Sequence, residues 1–405
     1  MDPYYIDWIN LFIRWFHVIA GVAWIGASFY FVWLDNSLQD PPDWKKEKGI
    51  KGDLWAIHGG GFYEVAKYRL APEQMPATLH WFKWEAYTTW LTGFMLLSLM
   101  YYFGAETYLI DKSVMELSQW QAIGIGVGLL AAGWALYDGL CRSPLSRNGY
   151  VFGGLLLGLS VLASWGLTQV FSARGAYIHV GALLGTLMAG NVLMTIIPSQ
   201  KALVKAVKAG AAPDPRLGEN AKLRSTHNNY MTLPLIFIMI SNHYPMTYGH
   251  EWNWAILSAL VVITAFARHY FNLKHRGVKQ PAILVIAMLM FIALAVTVKN
   301  TREADSAGSQ QTAEATTDKV SFIQAAAIIH NRCASCHAAK PTQAGFAEAP
   351  AGVLLDSTDS VMKHLQQIQQ VSVDSNYMPL GNLTGMTDEE RQQLGAWIKQ
   401  GGGTE

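Results

Sequence analysis

The stretch Cys333-Ala334-Ser335-Cys336-His337 decides how the end of this chain folds. Two thiols three positions apart can add across the vinyl groups of a haem, and the adjacent histidine then reaches the iron from one side. Met378 follows 41 residues after His337, in Tyr377-Met378-Pro379-Leu380-Gly381, and can supply a thioether as second axial ligand. Thr387-Asp388-Glu389-Glu390 then reads as a capping box that opens a helix. Leu394, Trp397 and Ile398 give that helix an apolar face. One covalent haem c is therefore expected, attached through Cys333 and Cys336, with His337 and Met378 on the iron. A zinc knuckle or a redox CxxC is the competing reading, and no second cysteine pair exists to complete a zinc site.

This order of features, over about residues 320–402, resembles class I cytochrome c domains. Upstream the chain changes character. Of its 405 residues 51% are apolar and only 15% charged, and the apolar ones are clustered, which argues for a membrane protein. Eight stretches are long enough to cross a bilayer as helices, near 8–34, 84–103, 119–140, 149–172, 175–197, 229–243, 252–271 and 281–299. Trp and Tyr crowd many of their ends, as interfacial anchors do. No basic segment precedes the first stretch, which starts with Asp2 and Asp7, so no cleavable signal is read there. The expected fold is all-α: a polytopic membrane bundle of about eight helices, with a 4+4 internal repeat as one reading, plus a C-terminal cytochrome domain.

Charge sets the orientation. Haem is attached to CxxCH outside the bacterial cytoplasm, so with eight spans the N-terminus also lies outside. The four loops that must then be cytoplasmic, 35–83, 141–148, 198–228 and 272–280, hold eighteen Lys and Arg, whereas the opposite loops hold only Lys112 and Arg174. The positive-inside rule agrees with the haem argument. The expected location is the bacterial inner membrane, with the N-terminus and the cytochrome domain periplasmic. The domains are 1–299 in the membrane, a flexible linker at 300–319 rich in Ser, Thr, Ala and Gln, and 320–405 as the cytochrome. That last segment carries a net charge of −3, suited to a basic partner surface, and no basic tract points to nucleic acid.

Ionisable groups inside spans are costly and default to function. His17 in the first span and His179 in the fifth open similar runs, His17-Val18-Ile19-Ala20 and His179-Val180-Gly181-Ala182. Two histidines at similar depth can ligate a b-type haem, and each can equally bond a neighbouring helix. His80 and His227 open the helix that follows in each half. On the cytoplasmic side His58-Gly59-Gly60-Gly61 reads either as a backbone cradle for a ligand or as a hinge. Arg69, Lys83 and Arg268 are cations able to hold an anion there, and Asn228 and Asn229 can read the edge of a heterocycle. No GxSxG elbow accompanies the His-Gly-Gly-Gly run, which removes a lipase reading.

Together these residues resemble the bacterial membrane-bound urate oxidases (urate hydroxylases) that carry a C-terminal cytochrome c domain. The resemblance rests on Trp15-Phe16-His17-Val18-Ile19-Ala20-Gly21, His58-Gly59-Gly60-Gly61-Phe62-Tyr63 and Leu79-His80-Trp81-Phe82-Lys83-Trp84-Glu85. His179-Val180-Gly181-Ala182 with Asn191, His227-Asn228-Asn229-Tyr230 and the haem motif complete it. It implies oxidation of urate to 5-hydroxyisourate, with electrons passed to cytochrome c and on to a downstream cytochrome c or terminal oxidase. A base is needed, and His80 or His227 is expected in that role, with Glu85 as orienting partner. A haem b between His17 and His179 would relay electrons across the bilayer. Without one, the substrate is expected near the outer face. The competing functions are a non-catalytic membrane-anchored cytochrome and a haem-containing porphyrinogen oxidase.

Overall fold

In a membrane a backbone must satisfy its own hydrogen bonds, so long apolar runs fold as helices. The computed structural model describes residues 3–275, 277–313, 320–375 and 377–403. Each of the eight expected stretches is built on a helix: α1 (Pro3–Ser37), α2 (Trp84–Leu97), α3 (Gln119–Arg142), α4 (Gly149–Thr168), α5 (Ala173–Asn191) running on into α6 (Ile197–Lys208), α7 (Pro215–Ile240), α8 (Asn253–His275) and α9 (Ala282–Ala313). Among the described residues six helices are long and apolar enough to cross a membrane: α1, α3, α4, α5 with α6, α8 and α9. Of the other two, α2 gives way to a π turn at Ser98–Tyr102, and the first half of α7 is polar. Local caps fix several starts: Ser118 in a capping box with Gln121, Asn148, Ser172 and Asp214.

The central helix is α5, with eleven of its nineteen residues buried. It packs against α2, α3, α4 and α7, while α1 lies on α2 and α9 on α8. The outer faces of α1 and α9 expose Trp8, Phe12, Trp15, Met288, Phe291 and Ile292, a surface suited to hydrocarbon. Between α5 and α6 the helix widens into a π turn at Val192–Ile196, where Ile197 N–H bonds the Val192 carbonyl five residues back. Pro198 explains it: this residue has no N–H, and its ring would collide with the Met194 carbonyl in a regular helix.

The all-α expectation needs one correction. The loop 35–83 contains an antiparallel hairpin, β1 (Ile50–His58) with β2 (Gly61–Tyr68). Gly59 (φ 57°) and Gly60 (φ 82°) make its two-residue turn, because both positions need positive φ. Buried Lys45 ties the hairpin down by pairing with Asp53 and Glu64.

The C-terminal segment folds as a small helical unit. Here α10 (Phe322–Arg332) starts at a Ser321/Gln324 capping box, and α11 (Asp388–Lys399) at the Thr387/Glu390 box. Ala325, Ile328, Ile329 and Cys333 meet Leu394 and Trp397 in its core. The expected linker begins as helix, since α9 runs on to Ala313, and residues 314–319 lie outside the described residues.

Arg332 Nε bonds Glu390 Oε2 at 3.0 Å. Burial raises the Glu390 pKa, but Arg332 and the Thr387 contact outweigh it and hold the carboxyl below its ordinary value. A lowered folded pKa contributes stability that is present above the ordinary glutamate range and lost as pH falls through the folded value. The unfolding temperature of this unit is therefore expected to drop from about pH 5 downward, and less steeply in Glu390→Gln. Calorimetry from pH 7 to pH 3 checks it.

The C-terminal unit packs on one end of the bundle. A Cβ on Gly381 would lie 3.1 Å from the Thr107 carbonyl and 3.3 Å from that of Ile110. Tyr377 sits edge-on to Tyr248, with ring centroids 5.3 Å apart. The hairpin lies at the opposite end, by the alternation of the helices.

Candidate functional site

At the hairpin end, α5 terminates in Asn191, which is wholly buried. Its Nδ2 donates to Tyr137 Oη and to Asn228 Oδ1, both at 2.8 Å, and its Oδ1 accepts from Arg224 Nη1 at 3.1 Å. Arg224 Nη2 reaches Asp138 Oδ1 at 2.5 Å, and Arg142 takes the other carboxylate oxygen at 2.8 Å. Tyr137 Oη, which accepts from Asn191, also pairs with His227 Nδ1, 2.9 Å away. A Tyr137 proton directed at Nδ1 would leave His227 neutral with its own proton on Nε2. His227 stacks on Phe152 at 5.1 Å.

A second group lies at the same end. Arg268 Nε donates to Asn229 Oδ1 at 2.8 Å, and the guanidinium sits 4.1 Å over the Phe29 ring. Arg268 Nη2, Asn229 Nδ2 and Glu85 Oε2 are buried and have no hydrogen-bond partner. The elements carrying them form a closed ring of neighbours: α1 on α2, α2 on α5, the π turn on α7, α7 on α8, and α8 on α1. Buried polar atoms are nearly always bonded, so the orphans on Arg268 and Asn229, which are joined to each other, and on Glu85 at the same end of the bundle point to a ligand there.

The sequence-predicted residues divide accordingly. His227 and Asn228 join the first group, Asn229 and Arg268 form the second, and Glu85 lies at the same end on α2. His58, Gly59, Gly60 and Gly61 are the hairpin tip, with His58, Gly59 and Gly60 exposed. His80 is exposed, its ring edge-on to Phe82 at 4.6 Å, and is not joined to His227. Arg69 is exposed, and Lys83 lies over the Trp84 ring at 5.6 Å. Sequence reading did not single out Tyr137, Arg142 or Arg224. Their signal was available: charges and hydroxyls at span ends on one side, meaningless until the helices are paired.

His17 Nδ1 lies 3.0 Å from the Thr89 carbonyl and 3.1 Å from Thr92 Oγ1. His179 Nδ1 bonds the Gly175 carbonyl at 2.8 Å, and a Cβ on Gly126 would come 2.7 Å from its Nε2. That Nε2 is buried and has no hydrogen-bond partner, and His17, bonded through Nδ1 in the same way, keeps its own Nε2 for another group. These two nitrogens are the ones a haem b would take.

A line of rings runs from the middle of α2 past His179. Trp90 stacks on Phe94 at 5.5 Å, Phe94 meets Tyr102 at 6.5 Å, and Tyr102 meets His179 at 5.8 Å. His179 meets Tyr101 at 6.3 Å. The π turn at Ser98–Tyr102 lets the consecutive residues Tyr101 and Tyr102 both be buried against His179. Arg174 Nε donates to Tyr101 Oη and to Asn242 Oδ1, each at 3.1 Å, and Tyr248 Oη donates to the Asn242 carbonyl at 3.3 Å. Tyr248 then touches Tyr377, the neighbour of Met378.

In the C-terminal unit α10 ends at Cys333, and the Cys336 and His337 amides fold back onto its carbonyl at 3.2 and 2.9 Å. His337 Nδ1 bonds the Val353 carbonyl at 3.0 Å, which leaves Nε2 as the nitrogen for a metal. Arg391 Nη1 holds the Met378 carbonyl at 2.6 Å and so fixes that loop. Burial pushes the Cys333 thiol up to about 11 and raises Cys336. Thiols raised in this way are poor partners for thiol–disulfide exchange at neutral pH. These residues fit a covalent haem.

No curated protein matches the chain, and no solved structure does. The family model described as Urate oxidase N-terminal matches residues 3–299. With the greater part of its length covered, this chain belongs to the urate oxidase N-terminal family, whose members are urate-related oxidoreductases.

Proposed function

We propose that the chain oxidises urate inside a membrane-embedded bundle and passes the electrons to a c-type haem on its own C-terminal domain. The observation that carries this reading is the pairing, in one polypeptide, of the family's bundle with a docked unit whose His337 keeps Nε2 free. Urate and water give 5-hydroxyisourate with release of two electrons and two protons. The haem, when bound, accepts one electron at a time. Downstream, a soluble cytochrome c or a terminal oxidase receives them. The bundle lies in the bacterial inner membrane, with the N-terminus and the C-terminal domain on the periplasmic side.

Urate is a planar anion at neutral pH, with carbonyl oxygens and ring N–H groups on its edge. Arg268 Nη2 and Asn229 Nδ2 offer donors to the oxygens, and Glu85 Oε2 offers an acceptor to an N–H. His227 is the base of this reading through Tyr137: as the Tyr137 oxygen takes a proton from the water that adds, its own proton passes to His227 Nδ1. Trp90 lies five residues after Glu85, about 7.5 Å along α2. Tunnelling falls exponentially with distance, and a bilayer core of about 30 Å is too thick for one step. A haem b held by His17 and His179 would supply a one-electron relay on that path, beside the packed rings from Trp90 to Tyr377.

The test is anaerobic mixing of oxidised protein with urate while the reduced c-haem band is followed. The band is expected to rise with urate and not with an equal concentration of a non-purine anion. A haem that stays oxidised under excess urate, yet reduces normally with dithionite, removes the reading. Trp90→Leu is expected to slow the urate-driven rise by more than an order of magnitude at unchanged haem content, as read by stopped flow.

A further inference from the structure

On the other side of the π turn at Val192–Ile196 lies a cavity of about 300 Å³, the lower end of the range for small-molecule sites. Its polar wall is Arg142, Arg224, Asn220, Ser199 and Thr195, and Met194, Pro198 and Leu217 are its apolar wall. We infer that this cavity is an admission site for a planar organic anion, which on the function proposed above is urate itself.

Three observations point the same way. The two guanidinium groups share one carboxylate, Asp138, so the wall carries one net positive charge, matched by a single monoanion. Arg224 is only 2% exposed and is held from two sides, by Asn191 and Asp138, so its charge is fixed at the wall. A lining that combines apolar Met194, Pro198 and Leu217 with an amide and two hydroxyls suits a ring with a polar edge better than a bare oxyanion. The cavity is also wired to the reaction machinery: Arg224 bonds Asn191, Asn191 bonds Tyr137, and Tyr137 bonds His227. An anion that pulls on Arg224 therefore acts on the group that sets the His227 tautomer.

The experiment is equilibrium dialysis of urate against the full-length protein with its haem prereduced, so that binding proceeds without turnover. Wild type is expected to bind two urates per chain, and Arg142→Gln and Asn220→Leu one each. The Arg142 side chain is 71% exposed, so its loss leaves the fold in place, and Asn220→Leu fills the cavity by a different route. In the same variants the urate concentration for half-maximal haem reduction should rise several-fold. Two bound urates in both variants, one in wild type, or displacement of the variant-sensitive urate by equimolar inorganic phosphate would each overturn the inference. Urate failing to reduce the haem in wild type would instead sink the function above, while the binding count would still be read.

Discussion

Replacing Cys333 and Cys336 together by alanine should yield protein without covalent haem and with no urate-driven absorbance change, while urate binding persists. The expectation follows from separation of tasks. The donors and acceptor around Arg268, Asn229 and Glu85 belong to α7, α8 and α2, none of which contributes to the C-terminal core. Cys333 closes α10 and is buried beside Ile329 and Leu394, so alanine there removes sulfur and little volume. Folding of the small unit should survive well enough for its helical signal to be measured. Anaerobic urate consumption is the decisive readout. Consumption at the wild-type rate in the double variant would show that the electrons leave by another route.

The second large effect is expected at the seam between the two folded units. Gly249 has φ −83°, so a side chain there carries no left-handed strain. Its Cβ would nevertheless come 2.9 Å from Ser375 Cβ on the C-terminal unit, and 2.9 Å from the Pro245 carbonyl. Alanine should therefore crowd the seam slightly, and leucine should prise Tyr377 off Tyr248. Urate-driven haem reduction is expected to fall modestly in Gly249→Ala and by more than an order of magnitude in Gly249→Leu. Dithionite reduction and the haem spectrum should be the same in all three proteins. Equal urate-driven rates in Gly249→Leu and wild type would mean that this seam is not the electron path.

How much of this was legible beforehand can be argued from single residues. The capping boxes at Thr387/Glu390 and Ser118/Gln121 are purely local, because a hydroxyl and an amide or carboxylate three residues apart satisfy each other wherever the helix lies. The Gly59-Gly60 turn was equally local, yet the triple glycine drew attention as a ligand cradle. The alternative signal, a two-residue turn between residues rich in Trp, Ile, Phe and Tyr, was in plain view. Arg224 was different. It reads as one more cation on the inner side until α3 brings Asp138 to it.

By itself the sequence determined where along the chain the apolar helices fall, the side on which positive charge gathers, and the cysteine–histidine run of the C-terminal unit. Those properties depend on the period of apolar residues and on neighbours within a turn, which every copy of the chain carries before it folds. Only the tertiary structure decided that His179 lies beside Gly126, that Asn191 gathers Tyr137, Asn228 and Arg224, and that Tyr377 rests on Tyr248. Such contacts depend on which helices cross, at what depth and rotation, and in a bundle those choices belong to all the packed side chains together.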